Sequence, residues 1–220
     1  MNKKKIIIGV ISIVALIFVL VVLRTLYILN IIPHKTYTDS DFNIQTYHSL
    51  VDKDNDGIND QQDILTSARN YIATKPKYKS KYYGTGYPND EYGVCVDVVA
   101  QALKNLGYDL MLLVYEDVLE NRNDYDIDVV DKNIDFRRVK NLKVYFKNTA
   151  IELTTDIYKI DEWQAGDIVI FEKHIGIISD KRNKKGIPFV IHHNKLSELH
   201  NYEEDILEYR DDIVGHYRIS

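Results

Sequence analysis

The stretch "EWQAGDIVIFEKHIGIISD", Glu162–Asp180, decides how this chain is read. A turn at Gln164 to Asp167, punctuated by Gly166, leads into four apolar residues, Ile168 to Phe171. After a short charged break, "HIGIIS" starts a second run at His174. Runs this short, rich in isoleucine and bounded by turn residues, fit buried strands better than helices. "IPFVIHHN", 187–194, reads as a third strand. Alternation along it puts His192 and Asn194 on one face and His193 on the other. Upstream the period changes: in "VCVDVVAQALKNLG", 94–107, the apolar residues Val98, Val99, Ala102, Leu103 and Leu106 recur at helical spacing, and Gly107 supplies a stop. Helices first and antiparallel strands later predict an α+β fold, with N-terminal helices packed on a small antiparallel sheet.

Cys95, the one cysteine in 220 residues, falls in or just before the first turn of that helix. Unpaired N–H groups and the helix dipole favour an anion there. The expectation is a thiolate whose pKa is lowered from about 8.5 towards neutrality when a histidinium joins it. A small apolar residue on a core helix is the competing reading. Imidazoles on neighbouring strands would supply what a cysteine nucleophile needs: a base, and a polar group to orient it.

Where the chain resides sharpens the question. Ile6 to Leu23 is a run of 18 residues without charge, flanked by Lys3, Lys4, Lys5 and by Arg24. About 20 apolar residues cross a bilayer, and the lysines should remain cytoplasmic. The expectation is a single-pass signal anchor over residues 1–32, a polar tether over 33–50, and an extracytoplasmic domain over 51–220. A cleaved signal peptide is the alternative, although its apolar core would be shorter and would end in small residues. Outside the cytoplasm cysteines usually pair as disulfides, so a lone thiol calls for either deep burial or a function. With 28 basic against 33 acidic residues and a formal charge of −5, nothing favours nucleic acid as a partner. Seventeen tyrosines and only four prolines argue for a folded domain.

In "VDKDNDGINDQQDIL", Asp52, Asp54, Asp56, Asp60 and Asp63 fall at positions 1, 3, 5, 9 and 12 of a loop with Gly57 at position 6. Carboxylates alternating around a glycine turn can converge on one hard cation, so a structural Ca²⁺ is expected. The pattern resembles EF-hand, dockerin and thrombospondin-type loops. It departs from the EF-hand in having Asp63 for glutamate and Asn59 at the usual aliphatic position. A solvated acidic turn capping the next helix, expected to end near Ala73, is the plainer reading. In "NIDFRRVKNL", Asp135, Arg137 and Arg138 offer a site for a substrate carboxylate. An internal salt bridge would use the same residues.

A cysteine opening a helix, then "GDIVIF" and "HIGI", then a strand with a polar residue, resembles the NlpC-type papain-like peptidases and amidases of bacterial cell walls. The chain more closely resembles the bacterial family catalogued as domain of unknown function 1287, which is grouped with them. That likeness rests on "YPNDEYGVCVDVV", "NIDFRRVKNLKVYF", "WQAGDIVIF", "HIGIISDKRNKKGIPFVIHH" and "GHYRI", and covers about Asp52 to Ser220. It implies a papain-like architecture with Cys95 as nucleophile, His174 as general base and later acid, and His192 orienting His174. Asn194 remains open for the third role. The implied activity is hydrolysis of an amide or peptide bond, in peptidoglycan or another envelope peptide, with no cofactor for catalysis. A non-catalytic, calcium-stabilised wall-binding module and a thiol acyltransferase remain alternatives.

Overall fold

The computed structural model describes residues 3–199 and 201–219. Two units are distinct, Met1–His34 and Lys35–Ser220. The first is dominated by helix α1, Lys3–Ile28, none of whose side chains is buried. Its 26 residues make a rod of about 39 Å at 1.5 Å per residue, enough for a hydrocarbon layer of about 30 Å. This helix is long and apolar enough to cross a membrane or to serve as a signal anchor.

The second unit is a mixed α+β domain. Its helices are α2 (Asp60–Ala73), α3 (Cys95–Asn105), α4 (Leu110–Glu120), α5 (Lys132–Asp135) and α6 (Val139–Thr149). Its strands are β1 (Lys77–Tyr78), β2 (Tyr92–Gly93), β3 (Ile151–Glu152), β4 (Ile168–Phe171), β5 (His174–Arg182), β6 (Pro188–Ile191), β7 (Glu203–Glu204) and β8 (Ile213–Arg218). β1 and β2 form a small parallel pair. The other six make one antiparallel sheet in the order β3-β8-β4-β5-β6-β7.

Local chemistry sets the helix boundaries. The Asn59 side chain accepts the Gln62 N–H at 3.3 Å and opens α2, which ends at Ala73 as expected, ahead of left-handed Lys75 and Pro76. Asp109 caps α4 through the Met111 N–H at 3.1 Å. Gly107, at φ +88°, turns the chain out of α3 in the left-handed region where glycine meets no Cβ penalty.

β4, inside the sheet, is buried on both faces, which is why "IVIF" contains no polar residue. On one face Ile168, Ile170, Ile175, Ile177, Ile191 and Tyr217 join the core built with α2, α3, α4 and α6. On the other, Val169, Phe171, Ile178 and Val190 pack with Trp163, Ile187 and Leu207.

The expected tether over 33–50 needs correction, because the chain from Lys35 onward belongs to the folded unit. Tyr37 and Arg182 exchange two backbone hydrogen bonds of 2.8 Å, and the Tyr47 N–H reaches Gln164 at 2.9 Å. Arg182 is the physical reason. Its side chain is 1% exposed and needs an acceptor for each N–H. It finds Asp39 at 2.5 Å together with the carbonyls of Ile160, Trp163 and Gly186. A segment that supplies a buried guanidinium with its carboxylate cannot be a free tether.

Candidate active site

Cys95 occupies the first residue of α3, after extended Val94. The helix start is held from within: the Asp97 carboxylate accepts the Val94 N–H at 2.8 Å. Arg137 clamps the same carboxylate bidentately, with Nε to Oδ1 at 2.9 Å and Nη2 to Oδ2 at 2.6 Å. The two side chains are 2% and 0% exposed. Arg137 also donates to the Lys81 carbonyl.

Arg137 is therefore spent on the helix that carries the thiol and is not free to bind a substrate carboxylate. Asp135 is likewise internal: it is 2% exposed and accepts the Asp131 N–H at 2.7 Å. The internal ion pair does form, but Arg137 makes it with Asp97 and not with Asp135. Arg138, half-buried at the start of α6, has no side-chain hydrogen bond or ion pair among the described residues.

Cys95 is 9% exposed. Burial pushes its thiol up to about 11, outweighing the N–H groups of Ile175 and Val96 that favour the anion. This reverses the expected lowering. The helix terminus does act on the sulfur, but desolvation of a charged thiolate is the larger effect.

The strands bring the two expected histidines together. Nε2 of His174 lies 2.8 Å from Nδ1 of His192, with the rings edge-on at a centroid separation of 4.9 Å. His174 opens β5 opposite Phe171, and His192 follows the last residue of β6. Burial, assisted by His192, Arg210 and His193, holds the His174 imidazole well below its ordinary value, so it is neutral at physiological pH.

The sulfur meets β5 one residue along, at the Ile175 N–H. Among the described residues no hydrogen bond joins Cys95 to either imidazole. Ile175 and Ile177 pack in the core that contains Cys95, and the His174 ring lies 6.0 Å from that of Phe171, its partner across the hairpin.

His193, set on the opposite face from His192 by alternation, is fully buried between Tyr78 and Tyr202, with centroids at 5.5 and 5.1 Å. Neither of its ring nitrogens has a hydrogen-bond partner, and burial lowers its pKa to about 4. Asn194 is taken up in a turn, its Oδ1 accepting from Leu196 at 2.7 Å and Ser197 at 3.0 Å.

Sequence reading missed two acidic groups here. Asp167, 0% exposed, accepts from Gln61, Gln164 and Arg218 at 2.7–2.9 Å and lies 3.1 Å from His216, tying α2 to β8. Glu204 sits behind His192, with Oε2 at 3.7 Å from Nε2. Nothing local in "YEED", 202–205, marks the burial of Glu203 and Glu204.

In the aspartate-rich loop, ligand oxygens of Asp52, Asp54 and Asp56 lie within 4.8 Å of one another. Asn55 at φ 61° and Gly57 at φ 93° make the turn that gathers them. Asp63 Oδ2 is buried without a partner, and burial together with Asp56, Asp54, Asp60 and Asp52 raises this carboxyl to about 6. Asp60 faces elsewhere: its oxygens accept the Lys53 N–H at 2.7 Å and the Tyr108 hydroxyl at 2.5 Å. Asp60 thus anchors the loop to the domain and is not available as a direct ligand.

These features define a mixed α+β domain whose single thiol opens a helix against a strand that begins with one half of a histidine pair. The chain belongs to the family described as domain of unknown function DUF1287, whose model matches residues 65–219. The uncharacterized protein YijF of Escherichia coli (strain K12) is 37% identical over 168 residues, covering 70% of this chain and 80% of that protein. No solved structure matches the chain.

Proposed function

We propose that the protein is a membrane-anchored cysteine hydrolase of the papain-like NlpC type, acting outside the cytoplasm on an amide or peptide bond of peptidoglycan or another envelope peptide. One observation carries the reading: the sole cysteine opens α3 and abuts β5 at Ile175, beside His174, whose ring is already bonded to His192. The apolar helix α1, with lysines at its start, would hold the domain at the outer face of the membrane.

A buried neutral thiol and a buried neutral imidazole define a general-base mechanism without a preformed ion pair. His174 closes onto the thiol as substrate enters, since such bonds are commonly long in unliganded sites. It takes the Sγ proton while sulfur bonds to the carbonyl carbon. The C–N bond then breaks, and the same proton passes to the departing amine. Water attacks the thioester, giving one proton through His174 back to sulfur and releasing the acid. The Cys95 backbone N–H, free of an intrahelical partner, would hold the oxyanion.

The aspartate loop is a structural Ca²⁺ site in this reading. Asp52, Asp54, Asp56 and Asp63 would be the carboxylate ligands, and the uncompensated Asp63 oxygen supports it.

Incubating the full chain with purified peptidoglycan fragments and scoring new amino termini tests the proposal. Cys95→Ala should abolish their release with the fold unchanged, and undiminished release would end the thiol mechanism. The raised thiol pKa also suits a wall-binding module without turnover. Tight binding of fragments with no new termini would favour that second reading.

A further inference from the structure

His174 and His192 share one hydrogen bond, Nε2 to Nδ1 at 2.8 Å, so one of the two nitrogens carries the proton and the other accepts it. The ring geometry alone does not choose between them. What lies beyond His192 does. Its far nitrogen, Nε2, is buried with no hydrogen bond and has a carboxylate oxygen of Glu204 as a neighbour at 3.7 Å. His192 and Glu204 are 1% and 5% exposed along their side chains. Glu204 is itself held on β7, where the Ser197 hydroxyl donates to Oε1 at 3.0 Å and β7 pairs with β6 through Val190 and Ile191.

From this arrangement we infer that Glu204 is a positioning residue that fixes the tautomers of both histidines, and through them prepares His174 as the base. A buried carboxylate beside an imidazole favours N–H towards itself, because a bare nitrogen lone pair facing it would be repelled. His192 then carries its proton on Nε2 and offers Nδ1 as acceptor. His174 must carry its own on Nε2, and its Nδ1 is left bare. That nitrogen makes no hydrogen bond among the described residues and is the atom that, in the hydrolase reading, would take the thiol proton. The opposite tautomer would put a proton on Nδ1 and leave Cys95 without a base.

The role resembles that of any acid which holds a catalytic imidazole in one tautomer, where loss of the correct tautomer costs several orders of magnitude in rate. Here the acid acts at one remove, through a second imidazole. Arg210 and His193 bear on His174 from their own elements, and both act against a positive charge on it. The chain from Glu204 thus sets which nitrogen is bare without requiring His174 to ionise. The catalytic meaning of this chain rests on the hydrolase reading above, whereas the tautomer claim stands by itself.

The test is ¹⁵N NMR of the full chain in detergent with labelled histidine, the rings being assigned by His174→Gln and His192→Gln variants. In the wild type at neutral pH, both rings should show a protonated Nε2 and a bare Nδ1. In Glu204→Leu, which keeps bulk but removes the acceptor, His174 should lose its single-tautomer signature, and any turnover of wall fragments should fall by at least tenfold. Glu204→Gln, which retains an acceptor oxygen, should restore the signature in part.

A wild-type His174 protonated on Nδ1 would overturn the inference, and this needs no variant to fold. An unchanged signature in Glu204→Leu would overturn it equally. If the tautomers behave as stated but no fragment is cleaved, the hydrolase reading fails and the tautomer control by Glu204 survives. Cleavage that depends on Cys95, with the wrong tautomer, gives the reverse.

Discussion

Replacing Arg137 with leucine should destabilise the domain severely, although the residue lies outside the histidine cluster. The guanidinium makes bonds of 2.9 and 2.6 Å to Asp97, and the side chains are 2% and 0% exposed. Leucine would leave a carboxylate inside the core at the start of the helix that carries Cys95. Only the Val94 N–H, at 2.8 Å, would remain to satisfy it. Removing one partner of a buried ion pair costs about 3–5 kcal/mol. With a urea dependence of about 2 kcal/mol per molar, the unfolding midpoint should fall by about 1.5–2.5 M. Trp163, the single tryptophan, is buried and stacked on His216 at 3.8 Å, so its fluorescence reports the transition in the full chain. Asp97→Asn added to Arg137→Leu should recover much of the loss, because the amide still accepts from Val94 and no charge is stranded. A midpoint shift under about 0.5 M, or single losses that merely add in the double variant, would refute this account of the pair. A substrate-binding Arg137 would instead leave stability intact and weaken binding alone.

Three further outcomes follow from groups elsewhere in the domain. Alkylation of Cys95 should be slow near neutral pH and accelerate up to about 11, and a midpoint near 7 would mean a thiolate–imidazolium pair in place of the buried neutral thiol. Because the folded thiol holds its proton more tightly than the unfolded chain, its stabilising contribution is present below pH 9.0 and disappears as pH rises through about 11; Cys95→Ala should flatten that part of the stability profile. Asp63 has the same sign at lower pH: its contribution is present below 3.8 and lost as pH rises through about 6. Added Ca²⁺ should therefore raise the melting temperature more at pH 7 than at pH 5, and Asp63→Asn should remove the response, whereas melting indifferent to Ca²⁺ counts against the loop as a cation site. Gly176→Ala should cost about 1–3 kcal/mol by overpacking, since the new methyl would clash with Val190 and approach the Ile191 carbonyl at 2.9 Å and His192 Cβ at 3.2 Å. Its effect on the His174–His192 bond can be read in the same NMR spectra, and an unperturbed pair would show that β6 yields without strain.

Much of the framework follows from periodicity. The three strands at Ile168, His174 and Pro188, the helix opened by Cys95 and the stop at Gly107 depend on local patterns of apolar residues and glycine, which report directly on which face a residue buries. The membrane-length helix is legible for the same reason, since hydropathy over 18 residues needs no tertiary partner. The role of residues 35–50 was not legible, because docking there depends on Arg182, a buried cation more than a hundred positions away. Arg137 likewise has its partner 40 residues upstream, and adjacency to Asp135 was misleading.

The candidate site divides along the same line. From sequence alone come the identities of Cys95, His174 and His192, their order, and the aspartates of the loop. Tertiary structure decided their chemical states: desolvation, which raises the thiol to about 11 and lowers the imidazole, depends on everything packed around a group and not on its neighbours in the chain. It also decided which acids are anchors. Asp60 reads in the sequence as a loop ligand, and Asp167 and Glu204 as ordinary surface carboxylates; only the fold shows that each is buried with a donor or an imidazole beside it. Burial is a property of the assembled core, and a carboxylate acquires its partner only when distant segments meet.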